Sequence, residues 1–441
     1  MILRNYIYID NLTLLSMLRL LLTVTHQWLR FNNRSVLINY FDSSCFARGI
    51  VRICSGIPFV GFRKLDFCLS QLRDANGIFT LPLVPSNSLE ISNLIIDQQL
   101  GHDQFINRVS HKFAKKRMLV YLRQILGHEL NPVLNKILII EWYNRVFNTA
   151  FPDIPVFYMR RFQWSSYVKS HGEMIGVELR FYRALPVVNI KSILVHFRTM
   201  LHVLSGVINT TISGQYRKLQ ESFEDRSNIP VVAIPLDGNG SRLDLSENSD
   251  LFWLPFANKK SMQFLLYGIR RDFPIDSQTM CYFDQYAFSY IAKNKSAVAD
   301  SDVPLWKPSM VFSKQLSVLI LWLAWEWVQS SFRSRRLLFW LTPKFVKFVT
   351  DYAYWTDFFT FCSVKMHVTS EGSPFGRIPA DQALEDLGGV SISYQRSYIP
   401  APHTSYAYSV DVHFIHNPDF ADLFLRSGSV PRYMVTTGYV H

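Results

Sequence analysis

The sequence predicts an α/β protein built from Rossmann-like parallel sheets with helices on both faces. Three observations predict it. A strand–helix–strand rhythm opens the chain, the same rhythm returns from residue 364 onward, and apolar residues make up 49% against 18% charged. A disordered chain would be poorer in apolar and richer in charged residues.

The opening unit reads in three steps. Tyr6 to Asp10 has the aromatic and β-branched character of a strand. Leu14, Leu15, Leu18, Leu21 and Leu22 then recur at helical spacing within Leu12 to Arg30. Ser35 to Tyr40 is a second strand, and two strands joined by a helical crossover run parallel. Residues 100–150 read as helical and basic, interrupted at Pro132, and Pro155 to Arg161 reads as a strand. Val187 to Glu224 is helical, Ile229 to Pro235 a buried strand, and Asp237-Gly-Asn-Gly240 opens the clearest loop.

The second half repeats the pattern. Phe264 to Ile269 reads as a strand and Ser277 to Lys293 as a helix, with aromatic helices over 311–333 and 343–362. Strands follow at Val364 to Val368, Val390 to Tyr394, Val410 to Ile415 and Tyr433 to Thr437. Helices fill the gaps at Ile378 to Leu387, closed by Gly388-Gly389, and at Pro418 to Arg426, closed by Gly428. A length of 441 residues suits two domains: 1–240, α/β with a helical insertion, and 241–441, α/β with aromatic helices, ending at an interlobe boundary.

Charge narrows the partners. The net charge is +12, which favours nucleic acid, anionic lipid or phosphate-bearing ligands. The basic residues occur in small groups (Lys112, Lys115, Lys116, Arg117; Arg333, Arg335, Arg336), which serve either as solvated helix faces or as anion sites. No nucleic-acid module is present, so no nucleic-acid partner is expected.

Five cysteines without a close CxxC pair argue against a disulfide framework and fit a reducing compartment. No segment reads as a cleaved leader, and no run reaches ~18 uncharged apolar residues. Gln315 to Trp325 comes nearest. With Trp322, Trp325, Trp327 and Trp340 beside Arg333, Arg335 and Arg336, it reads either as a core helix or as an interfacial one. The expected location is the cytoplasm, with the inner-membrane surface as a candidate partner.

Catalytic motifs are sparse. There is no GxGxxG, Walker A loop, GxSxG or HExxH. His413 and His416 lack a convincing ligand set, Asp300-Ser-Asp302 sits in a loop with no preceding strand, and no metal site is expected. Polar residues do fall at the strand ends of the C-terminal run. Lys365, Gln395, Arg396, Ser397, Thr437 and Gly438 are the candidate ligand-binding residues, and His367, His403 and Asp411 the weaker candidates for catalysis. If Lys365, Arg396, Asp411 and Gly438 share one rim of one sheet, the two cations suit phosphate or carboxylate recognition. The plainer account is that each residue caps a strand end.

The same stretch carries a resemblance. Trp355 to Phe359, Val364-Lys-Met-His367, Ala380-Asp-Gln382, Leu387-Gly-Gly389, Tyr394-Gln-Arg-Ser397, Asp411 and Thr436-Thr-Gly-Tyr439, with Ser249-Asp-Leu-Phe-Trp253, form the set. They resemble bacterial surface carbohydrate (O-antigen and capsule) biosynthesis proteins of the PFTS-motif type. More distantly they resemble CDP-glycerol glycerophosphotransferases. The likeness spans residues 249–441, and residues 1–240 share only the general α/β character.

That resemblance implies a two-lobed, GT-B-like fold and transfer from a nucleotide-activated donor to a glycan or lipid-linked acceptor. Gln395-Arg396-Ser397 stands where the glycerophosphotransferases carry Trp-His-Gly, which leaves the basic histidine without a counterpart. The PFTS segment and a full C-terminal lobe are also lacking, so this chain is expected to supply mainly the acceptor side. The missing lobe would come from a separate or partner chain. The alternative is a non-catalytic, membrane-associated scaffold of polysaccharide assembly.

Overall fold

The computed structural model describes residues 4–13, 35–44, 60–65, 84–147, 154–182, 229–236, 261–268, 289–291, 310–330, 335–370, 377–395, 398–399 and 401–438, with single positions between. The chain divides into two compact units, Met1–Ile95 with Leu126–Leu194, and Ile96–Ile125 with Val195–His441.

The first unit holds a five-stranded, all-parallel sheet. Its strands are β1 (Arg4–Leu12), β2 (Ser35–Ser43), β3 (Val60–Lys64), β4 (Val156–Arg160) and β5 (Glu178–Tyr182), in the order β3-β2-β1-β4-β5. Ile7, Ile9 and Leu12 of β1 pack with Val36 and Ile38 of β2 and Val60 of β3. Helix α1 (Val84–Ile95) precedes the second unit's α2 (Gln104–Val109). Helix α3 (Lys115–Phe147) runs without a break through Pro132, so the expected interruption is corrected. One missing N–H removes a single backbone bond from a helix of 33 residues. Helix α4 (Ser165–Met174) connects β4 to β5.

The second unit holds seven parallel strands: β6 (Val231–Leu236), β7 (Gln263–Gly268), β8 (Ser289–Ile291), β9 (Val364–Ser370), β10 (Val390–Tyr394), β11 (Val412–Ile415) and β12 (Tyr433–Thr436). Their order is β12-β11-β10-β9-β6-β7-β8. The chain builds outward from β6 through β7 to β8, then returns to the other side of β6 and continues from β9 to β12. This reversal defines a doubly wound sheet. The first sheet reverses in the same way between β1 and β4. The predicted α/β class with parallel sheets is what the chain adopts.

Helices α5 (Met310–Ser330), α6 (Arg335–Phe361), α7 (Arg377–Asp386) and α8 (Asp419–Arg426) complete the unit. Aromatic edges fill the helical core, with Phe113 5.2 Å from Phe348, 5.0 Å from Tyr352 and 6.0 Å from Trp322. Phe420 and Phe424 of α8 pack on Ile399, Tyr408, Val410 and Ile415.

Two further expectations are corrected. Ser289–Ile291 is a strand rather than the end of a helix, because Leu265, Leu266 and Tyr267 of β7 pair with it. The division near residue 240 also differs from the structure. Strand β6 hydrogen-bonds to β7 and β9 and so belongs to the second sheet, and residues 96–125 belong to the second unit. The expected helices over Leu12 to Arg30 and Val187 to Glu224, and the loop at 237–240, lie largely or wholly outside the described residues.

Candidate functional site

Strands buried in a parallel sheet usually carry apolar residues on both faces. One face of β9, β10 and β11 departs from this. Register places His367 beside Ser391, and Thr369 beside Ser393, which in turn lies beside His413. All five side chains are buried, with Ser391, Ser393 and His413 fully so. Two rows of polar residues thus cross the sheet, and each needs a partner to offset its desolvation.

Helix α7 supplies a partner for Ser393 of the upper row. It descends from the carboxyl end of β9 back to the amino end of β10, and Arg377 to Leu384 are all buried. Arg377, its first residue, donates from Nη1 to Ser393 Oγ at 3.2 Å and from Nη2 to the Ile392 carbonyl at 3.1 Å. Its guanidinium also lies 5.6 Å from the Tyr408 ring centre. One turn on, Asp381 accepts from Ser409 Oγ at 3.1 Å and faces Arg377 Nε at 3.8 Å. Burial raises the Asp381 carboxyl from its ordinary value, while Arg377 and Arg117 pull it back.

The amino edge carries a second network. Asp411 Oδ2 accepts from the backbone N–H and the hydroxyl of Ser391, both at 2.9 Å. Arg117, on the first turn of α3, lies 3.5 Å from Asp411 Oδ1 and 3.2 Å from Glu385 Oε2. Arg432 bridges the same two carboxylates at 3.7 and 3.2 Å. Two cations thus balance two anions.

Two buried histidines of this sheet are held neutral. Burial, with the nearby Arg377 charge, pushes both His367 and His413 down to about 3. His367 Nε2 pairs with the Tyr267 hydroxyl at 2.7 Å, and its ring sits 5.8 Å from Trp355 and 5.4 Å from Phe359. His413 packs edge-on against Phe424 at 4.4 Å.

The residues expected on one rim divide between two. Parallel strands place all their starts at one edge and all their ends at the other. Lys365, the second residue of β9, and Asp411, just before β11, therefore sit at the amino edge, while Gln395, Thr437 and Gly438 follow strand ends at the carboxyl edge. This corrects the single-rim expectation for the described members. Arg396 and Ser397 lie outside the described residues.

Several candidates have local structural work. Gln395 Oε1 accepts from the His416 N–H at 3.1 Å, and its own N–H donates to the Phe414 carbonyl at 2.8 Å, tying β10 to β11. The Thr437 N–H donates to the Ile415 carbonyl at 2.9 Å. His403 caps the short 3-10 turn Thr404–Tyr406, with Nδ1 accepting from the Ser405 N–H at 3.1 Å. His367 is enclosed by aromatic rings, and Asp411 is held by Ser391 and Arg117, so neither faces solvent.

Sequence reading overlooked Arg377, Ser391, Ser393 and Glu385, and met Arg117 only within a basic group and Asp381 only within the resemblance. A signal was present in the alternation Ser391-x-Ser393 within an otherwise apolar strand, and in Arg377 and Asp381 at helical i, i+4 spacing.

The place where a ligand binds a doubly wound sheet is the crevice at the carboxyl ends of the strands, where the order reverses. Here that is between β6 and β9. Helix α7 begins at the same carboxyl end of the sheet, where its first residue, Arg377, is bonded to Ser393 and the Ile392 carbonyl of β10. Among the described residues, no group of three or more His, Cys, Asp or Glu is arranged to hold a metal ion.

Fold and site together define an α/β protein with two all-parallel, doubly wound sheets and a buried polar layer on β9, β10 and β11. No protein-family model matches the chain, and no curated protein or solved structure matches it significantly.

Proposed function

We propose that this chain acts in surface polysaccharide biosynthesis. It would support glycosyltransferase-like transfer from a nucleotide-activated donor to a glycan or lipid-linked acceptor. The observation that carries the reading is the reversal of strand order at β6 and β9, with the start of α7 and buried Arg377 at the same carboxyl edge. A phosphate-bearing ligand suits such an edge, because helix N-terminal N–H groups and a nearby guanidinium stabilise negative charge. Two doubly wound sheets in one chain also fit the GT-B-like arrangement that the resemblance of residues 249–441 implies.

The chemistry would be displacement at a phosphate-linked carbon or phosphorus, with the departing phosphate stabilised by fixed positive groups. Titration calorimetry with nucleotide sugars and with CDP-glycerol tests this. Saturable binding, displaced by the matching free nucleotide, is the expected result; it would put the donor site on this chain and so replace the acceptor-side role that the resemblance implies. Absence of heat or competition with every nucleotide tried overturns the reading.

A peripheral position on the inner membrane belongs to the same proposal, because the acceptor class includes lipid-linked glycans. The second reading, a non-catalytic scaffold at the membrane, is favoured by the outward face of α5.

A further inference from the structure

Helix α5 leaves a continuous apolar stripe uncovered. Along its axis Val311, Val318, Leu321, Trp325 and Val328 are all exposed, Leu321 to 71% and Trp325 to 60%. At 100° per residue these positions fall within one arc of the helix, together with Lys314. The opposite arc is committed to the protein: Phe312, Leu316, Leu319, Ile320 and Leu323 are buried, and the helix packs on α2 and α6.

By length and composition Val311–Ser330 is apolar enough to cross a membrane. A spanning helix, however, would have to withdraw the buried arc from the core of its own unit. A helix with one apolar face packed on protein and another open to the outside instead lies flat in an interface.

Charge identifies what covers the open face. Lys314 lies within the stripe. Along one flank, Lys112 holds its ammonium 5.8 Å above the Trp322 ring, and Arg108 donates to Gln329. His111 and Lys116 are exposed nearby in sequence. The one acid on the helix, Glu326, is half-buried and lies outside the arc, on the side of buried Leu319. Cations beside an exposed tryptophan and aliphatic stripe match the anionic headgroups and upper acyl region of a bilayer.

We propose that the exposed face of α5 docks this protein on an anionic membrane surface, with Leu321 and Trp325 inserted and Lys112, Arg108 and Lys314 at headgroup depth. This deepens the membrane-peripheral part of the proposed function and does not depend on which donor the protein uses.

Flotation of the full chain with vesicles of phosphatidylcholine, with and without phosphatidylglycerol, tests it. Binding to the anionic vesicles at low salt, weakened by added salt, is expected. Leu321→Asp with Trp325→Asp lowers partitioning by about tenfold or more, and Lys112→Glu or Lys314→Glu by roughly fivefold each. These positions are exposed, and circular dichroism checks that the variants fold. As a second measurement, brominated phosphatidylcholine quenches wild-type tryptophan emission, and the quenching falls in Trp325→Phe.

No association with anionic vesicles, or equal association of the double Asp variant, overturns the proposal. So does a lipid-free dimer that the double variant abolishes, because the face would then meet a second copy. Nucleotide titration without lipid reads the proposed activity separately, so the two can fail independently.

Discussion

Asp411 and Ser391 bind each other from both sides: the carboxylate accepts the Ser391 N–H and hydroxyl at 2.9 Å each, and the Asp411 N–H donates back to the Ser391 carbonyl at 3.0 Å. The pair locks the amino ends of β10 and β11 in register. It also fixes the anion that Arg117 meets.

Removing that anion is expected to be costly. Asp411→Ala leaves a buried guanidinium and a buried N–H short of partners, and should destabilise the fold by about 3 kcal/mol. Arg432 touches the same carboxylate, but its side chain is 59% exposed, so Arg432→Ala should cost less than about 1 kcal/mol. Urea denaturation of the two variants separates them. Equal losses would show that the network is weighted toward its solvent side.

Arg377 and Asp381 should behave as a coupled pair. At 3.8 Å their contact is coulombic, and both side chains are almost wholly buried. Arg377→Met or Asp381→Leu alone strands one charge and should cost about 3–5 kcal/mol. The double variant should cost clearly less than the sum of the two singles, by about 1–3 kcal/mol. Strict additivity in a denaturation cycle would mean that each residue is held by other groups.

Acid should weaken the fold through His367 and His413. Each takes up a proton near its ordinary value of 6.5 when unfolded, but only near about 3 when folded. The unfolded chain therefore binds more protons between those values. Stability is intact above about 6.5 and falls as pH drops toward 3, by about 1.4 kcal/mol per pH unit for each histidine. Asp381 works in the opposite sense, since burial raises its carboxyl and offsets part of the loss near the acid end. Denaturation midpoints followed from pH 7 downward should shift less in His413→Phe; an unchanged slope would remove His413 from the account.

Element types were largely readable from residue pattern. Val390 to Tyr394 is a strand with the bounds the alternation predicted, and α7 ends where Gly388-Gly389 signalled. Strand polarity across the sheet was the missing piece. Lys365 and Gln395 both lie near strand termini in sequence, but one begins a strand and the other follows one, which puts them on opposite edges. The polar layer was hidden for a related reason. Ser391, Ser393 and His413 each look incidental within an apolar strand, and only the register of three strands joins them. Pro132 misled because a helix supported along its length tolerates one lost backbone bond.

The glycine pair that closes α7 separates two physical causes. Gly388 has φ +69°, yet a Cβ there would meet nothing within 4 Å. Gly388→Ala should therefore cost only the left-handed strain, about 1 kcal/mol, and Gly388→Asn less. Gly389 has ordinary φ, but its Cβ would lie 2.5 Å from Leu384 Cδ1 and 2.9 Å from the Lys365 carbonyl oxygen. The leucine can rotate away; the carbonyl belongs to β9 and cannot. Gly389→Ala should cost about 1–3 kcal/mol, and adding Leu384→Ala should fail to restore it. Thermal melts of the four variants test this, and full rescue by Leu384→Ala would place the crowding in the side chain instead of the sheet backbone.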